Sequence, residues 1–177
     1  MKGIIIYKGK YGATRQYADW LSSALDFYAV EAGYEYQEQL ALCSYIIIGT
    51  SVYLGKFQLR GWLRKHRQLL AGKKLFLFVV TGTPLHEKNK LLAYYQTNMP
   101  AELRDKCQYY FVPGKLTVRQ LSPVDRLVLR VGAWLTQRNG NKITLEDYNG
   151  VKREYIVPLL NAVKGAQLPP HPLYRAK

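Results

Sequence analysis

Three short apolar runs constrain this chain more than any other feature. They are Gly3-Ile4-Ile5-Ile6-Tyr7, Ser44-Tyr45-Ile46-Ile47-Ile48-Gly49 and Leu75-Phe76-Leu77-Phe78-Val79-Val80. Each has strand length, is rich in β-branched or aromatic residues, and lacks polar alternation, as expected of a strand buried on both faces. Helical spacing lies between them. Tyr17, Leu21, Ala24, Leu25 and Tyr28 share one face after the first run. Leu59, Trp62, Leu63, His66, Leu69 and Leu70 share another between Lys56 and Ala71, opposite Arg60, Arg64, Lys65 and Arg67, with Gly72 as the stop signal. Alternating buried strands and amphipathic helices predict an α/β fold, a doubly wound parallel sheet with helices on both faces.

The remaining segments complete that layout. Phe27–Val30 reads as a second strand and Glu35–Leu42 as a short helix. Residues 85–107 read as a polar helical insertion (86–97 and 101–106) before a fifth strand at Tyr109–Val112. Ser122-Pro123 is a helix start, with a capping hydroxyl and Pro at the first helical position, and the pattern runs to about Thr136. Asn139-Gly140-Asn141 reads as a turn. A last helix over 151–164 contains Pro158, which predicts a kink or a late start. The expectation is one domain over residues 1–165 and a Pro-rich basic tail over 166–177.

A chain of 177 residues is long enough to bury a full core without staples. Cys43 and Cys107 lack metal or redox spacing and read as buried thiols of a reducing cytoplasm. No run approaches a membrane span, and the N-terminus lacks a signal-peptide layout. The expected location is cytoplasmic, with peripheral contact at the inner membrane face as an option. Charge is unevenly divided. Residues 1–59 hold 5 Lys/Arg and 5 Asp/Glu, whereas residues 60–177 hold 21 and 7, so the whole net charge of +14 lies in the second part. Such a field favours an anionic partner, although a merely solvated basic surface gives the same count.

The chemistry concentrates where the three apolar runs end. Lys8-Gly9-Lys10-Tyr11-Gly12-Ala13-Thr14 is a short two-glycine loop between strand and helix, a layout that aims backbone N–H groups at an anion. The second run ends in Gly49-Thr50-Ser51-Val52-Tyr53-Leu54-Gly55-Lys56 and the third in Thr81-Gly82-Thr83-Pro84. In open α/β sheets these carboxyl ends converge on the ligand. No G-x-x-x-x-G-K-[ST] is present: the span from Gly49 to Gly55-Lys56 is one residue too long, and Phe57 replaces the hydroxyl. No G-x-G-x-x-G follows the first run. These absences argue against a P-loop NTPase and the usual dinucleotide fold. His66 reads as a core histidine, His86 and His171 as exposed, and no nucleophile triad or metal cluster is visible.

The segments 7–14, 49–56 and 81–84 resemble the flavodoxin domain family. Gly114-Lys115-Leu116 and Pro123-Val124-Asp125-Arg126-Leu127 further resemble the branch containing menaquinone-dependent protoporphyrinogen oxidases. The resemblance spans nearly the whole chain. It implies five parallel strands in the order 2-1-3-4-5, with FMN at the switch point. It also implies that Gly9, Lys10, Tyr11, Gly12, Ala13 and Thr14 hold the FMN phosphate. Thr50, Ser51, Val52, Tyr53, Leu54 and Gly55 would line the isoalloxazine, with Tyr53 stacking, and Thr81, Gly82 and Thr83 would close the pyrimidine side. Gly9 departs from the family, which usually has Ser or Thr there.

The expected function is FMN-dependent electron transfer between a small-molecule redox substrate, protoporphyrinogen-like and anionic, and a membrane quinone. Segment 115–135, with Lys115, Arg119, Arg126 and Arg130, is the candidate element facing substrate or an anionic membrane. Its alternative is an ordinary amphipathic helix packed on the sheet. Two other functions stay open: an electron-carrying flavodoxin without its own substrate, and a flavin-free interaction module with a basic face. Nucleic acid is the least favoured partner, because no aromatic residues interleave the basic ones, and the oligomeric state is open.

Overall fold

The computed structural model describes residues 3–127 and 147–167. Strand β1 (Gly3–Lys8) is followed by helix α1 (Ala13–Leu25), β2 (Tyr28–Glu31), α2 (Gln37–Leu42) and β3 (Tyr45–Tyr53). Next come β4 (Lys56–Phe57), α3 (Arg60–Ala71), β5 (Lys74–Thr81), α4 (Lys88–Asn98), α5 (Ala101–Arg104) and β6 (Cys107–Pro113). Beyond them lie β7 (Lys115–Leu116), a 3-10 turn (Val118–Gln120), and helix α6, described over 123–127. A strand β8 (Tyr148–Asn149), a second 3-10 turn (Arg153–Ile156) and α7 (Val157–Gln167) complete the described chain.

The parallel sheet runs β2-β1-β3-β5-β6, the expected order once the short β4 is set aside. Its strands alternate side chains between two cores. Ile4, Ile6, Ile46, Ile48, Leu75, Leu77 and Val79 face the cluster built with α2, α3, α4 and α5. Ile5, Ile47, Phe76, Phe78 and Val80 face the opposite cluster, against α1 and α7. Both faces are therefore dry, which is why the strands read as unbroken apolar runs.

Some expectations need correction. Tyr28 does not continue the α1 face: Asp26 takes a left-handed φ of 55° and ends the helix, and Tyr28 opens β2 with 55 % of its surface exposed. Segment 49–56 is not one loop. β3 continues to Tyr53, turns on Leu54 and Gly55 (φ 49° and 73°), and returns as β4. Two consecutive positive φ values give the turn that matches strand twist in a tight hairpin. The helices before the fifth strand of the sheet path are its ordinary crossover and not an addition, since parallel β5 and β6 require one. Pro158 marks a late helix start, one of the two outcomes expected there, because α7 begins at Val157 after a 3-10 turn. The last helix reaches Gln167, two residues past the expected domain limit. The continuation to Thr136, the turn at 139–141 and the tail from 168 lie outside the described residues.

Gly49 shows how tightly the centre of the sheet is packed. It sits opposite Phe78 on β5, and a Cβ at this position would lie 2.2 Å from Cζ at the edge of the Phe78 ring. Gly49→Ala should therefore cost about 1–3 kcal/mol from overpacking, read as a lower urea midpoint with an unchanged slope. An unchanged midpoint would mean that the ring has room to move.

Candidate functional site

β1 delivers the chain to an exposed helix start. After Lys8 the backbone turns through Gly9 to Gly12, and Gly12 caps α1 with φ 76° and ψ −10°. A left-handed φ at this position favours glycine. Among the described residues no side chain caps the helix, and its first turn holds no acidic residue. The N–H groups of that turn and the positive end of the helix dipole thus face outward without a side-chain partner. Thr14 is 1 % exposed and lies back over Gly9, where an added Cβ would overlap its hydroxyl. Gly9 thus leaves room for the Thr14 side chain. Lys115 approaches from β7, its ammonium 3.5 Å from the point a Gly12 Cβ would occupy.

The second wall is the β3–β4 hairpin. Thr50 is fully buried and accepts the Leu59 N–H at 3.2 Å, so its side chain secures α3 and lines no groove. Ser51, Val52 and Tyr53 are half-buried, Leu54 is exposed, and Gly55 completes the turn. Buried Asn98, at the end of α4, clamps this hairpin from below. Its Nδ2 donates to Gly55 O at 2.9 Å, and its Oδ1 accepts from Phe57 N at 3.1 Å. A cavity of about 300 Å³ lined by Tyr53, Leu54, Lys56, Phe57 and Gln58 opens on the flank of the hairpin. The third wall is a self-bonded turn in which Thr83 N donates to Thr81 Oγ1 at 2.9 Å, with Gly82 exposed at its tip. The Tyr94 hydroxyl pairs with Thr83 Oγ1 at 3.3 Å, and the Tyr94 ring edge lies near Gly55. Tyr94 therefore links the second and third walls.

A carboxylate joins the first two walls. Asp125, at the start of α6, is 2 % exposed. Its oxygens accept from Lys10 Nζ at 2.6 and 2.7 Å, from the Tyr11 hydroxyl and from the Tyr53 hydroxyl. Ser122 caps the helix by accepting the Asp125 N–H at 3.1 Å, as its sequence position suggested. The Lys10 ammonium also lies 4.4 Å from the Tyr53 ring centroid. Burial alone would raise the Asp125 carboxyl, but the hydrogen bonds from Lys10, Tyr11, Tyr53 and Ser122 outweigh it and hold the group well below the usual carboxylate range. The same pairing raises the Lys10 ammonium and the Tyr53 phenol.

These walls stand at the carboxyl ends of β1, β3 and β5. Between β1 and β3 the crossovers leave in opposite directions, which makes this the switch point of the sheet. The flavodoxin domain family matches residues 4–142 of the sequence. The chain belongs to the flavodoxin domain family. Among solved structures, flavodoxin 2 from Bacillus cereus is similar at 18% identity and a TM-score of 0.50, covering 77% of this chain and 99% of that one. The C101A mutant of flavodoxin from Pseudomonas aeruginosa is similar at 16% identity and a TM-score of 0.42, covering 79% and 97%. No curated protein matches the sequence.

FMN is the cofactor of flavodoxins, held at this switch point. The residues of this flavodoxin domain fit its phosphate: an uncapped helix start, a glycine loop and the hydroxyl of Thr14 form a compact anion cradle. Of the basic residues expected to face substrate or membrane, Lys115 stands at that cradle instead. Arg119 and Arg126 are exposed, and Arg126 Nη2 donates to Val118 O at 3.5 Å. Arg130 lies outside the described residues. Asp125, Tyr94 and Asn98 escaped the sequence reading as site residues. Asp125 had one signal, its place in the Asp-Arg pattern of the resemblance.

Asp125 predicts a pH dependence with a definite sign. Its folded pKa is lowered, so its contribution to stability is complete above about pH 4, the unfolded value, and is lost as pH falls. The urea midpoint of the wild type should exceed that of Asp125→Asn at pH 7, and the gap should shrink towards pH 3. A gap that stays constant over this range contradicts the assignment.

Proposed function

We propose that this flavodoxin domain is an FMN-dependent oxidoreductase, taking electrons from an anionic, protoporphyrinogen-like substrate and passing them to a quinone. The observation that carries the cofactor reading is the uncapped N-terminus of α1 at the end of β1, with Gly12 in a left-handed conformation and Thr14 turned into the loop. Bound FMN would supply the redox chemistry, taking up and releasing electrons. The chain's own residues bind and orient. Gly9 to Thr14 hold the phosphate through N–H groups and the Thr14 hydroxyl. Ser51 to Gly55 flank the ring, and Thr81, Gly82 and Thr83 bound its polar edge. The Asp125 carboxylate keeps Lys10 and Tyr53 in place beside that space.

Two observations support the finer reading of substrate. The whole net positive charge lies in residues 60–177. At the start of α6, Val124 and Leu127 are 66% and 62% exposed, with exposed Arg126 beside them. An apolar and basic surface of this kind suits an apolar molecule bearing carboxylates, or the anionic membrane in which a quinone resides. Among the described residues no helix is long and apolar enough to cross a membrane.

Titration of the flavin-free protein with FMN should quench flavin fluorescence at a stoichiometry of one. Thr14→Asp places a carboxylate against the phosphate and should weaken binding at least about a hundredfold, with an unchanged circular dichroism spectrum. A wild type that ignores FMN overturns the cofactor reading. With FMN bound, quinone-dependent oxidation of protoporphyrinogen is the expected reaction. A protein that exchanges electrons only with other redox proteins is a carrier and contradicts the substrate reading.

A further inference from the structure

We propose that Lys115 supplies the positive charge of the phosphate site and makes it select FMN over flavins that lack a phosphate. The inference rests on the FMN reading above and adds to it a residue remote in sequence from the glycine loop. A flavin phosphate carries a charge of about −1.5 to −2 near pH 7. Backbone N–H groups and one threonine hydroxyl offer it partial charges only.

Of the cations in and beside the loop, Lys8 is exposed at the end of β1 and the other two face carboxylates. Lys10 is held by Asp125 at 2.6 Å. Arg15, one residue after Thr14, points along the helix to Asp19 at 3.9 Å, and its side chain is 73% exposed. Lys115 remains. Its ammonium stands over Gly12, 3.5 Å from the position of an added Cβ, and among the described residues no carboxylate pairs with it. Thr14 lines the same loop: its side chain is almost wholly buried and lies against Gly9.

The backbone fixes where Lys115 stands. Gly114 N donates to Thr81 O at 2.9 Å, and Gly150 N donates to Gly114 O at 3.0 Å. Lys115 itself pairs with Asn149 across the β7–β8 ribbon. The lysine therefore projects from a pinned strand towards the start of α1, and an ammonium placed in this way needs little ordering to meet an anion. By sequence Lys115 belongs to the segment expected to face substrate or an anionic membrane. Its position over Gly12 gives it a different partner.

The test compares FMN with riboflavin, which has the same ring and no phosphate. Dissociation constants are measured by quenching of flavin fluorescence for wild type, Lys115→Gln, Lys115→Glu and Lys115→Arg, at low and high salt. Lys115→Gln should weaken FMN on the order of tenfold, the loss of one charge-assisted contact, and flatten its salt dependence. Lys115→Glu should weaken it further, Lys115→Arg should retain most of the affinity, and riboflavin should bind all four proteins alike. Equal losses for FMN and riboflavin would mean that Lys115 shapes the ring site or the fold, and this overturns the inference. Unchanged FMN affinity in Lys115→Glu overturns it as well, while the FMN reading survives. A wild type that binds neither flavin removes that reading and the inference together.

Discussion

The pairing of β1 with β3 is the constraint on which the rest of this structure depends. Six residues of β1, Gly3 to Lys8, are in register with Tyr45 to Thr50. On its other edge β1 pairs with β2, so the N-terminal strand lies inside the sheet. Being inside, it must be apolar on both faces: Ile4 and Ile6 feed one core, and Ile5 feeds the other. The same pairing places the Gly9–Gly12 turn beside the β3–β4 hairpin. Fold and site are thus consequences of one register. A slip of one residue would exchange the two cores and also separate the walls of the site.

Charge at the site is arranged in two layers. Asp125 consumes the positive charge of Lys10 and fixes two tyrosine hydroxyls, so the entrance between the loop and the hairpin is held by a local, paired network. Lys115 stands against the helix start. A site built in this way separates positioning from attraction. The paired carboxylate organises side chains, while the helix start and the second lysine attract an anion. The basic excess of residues 60–177 then acts at longer range, where salt screens it, and serves encounter more than binding.

Much of the fold was legible because strands buried on both faces cannot hide: β1, β3 and β5 appear as continuous apolar runs. The helix faces were nearly as clear, although Tyr28, which fits the spacing of the α1 face, lies on β2. The hairpin was illegible for a chemical reason. Its turn places Leu54 at a positive φ, where Asn, Asp or Gly would have announced it. The glycine loop was legible by its spacing, yet the reason for Gly9 needed the structure, since the overlapping group is the Thr14 side chain. Asp125 lies more than a hundred residues from Lys10 and Tyr11, and no local pattern reports a contact at that distance. Lys115 was noticed for its charge but assigned a different surface, because sequence gives no direction to a side chain that follows the last strand of the sheet.

The measurement that tests the central claim most directly is a titration of isotopically labelled protein with FMN, followed through backbone amide resonances. If the switch point holds the phosphate, the amides of Lys10, Tyr11, Gly12, Ala13 and Thr14 should move first and furthest, with smaller shifts at Ser51 to Gly55 and Gly82. Shifts confined to α7 or to the α4 surface, with the 10–14 amides unmoved, would contradict the account.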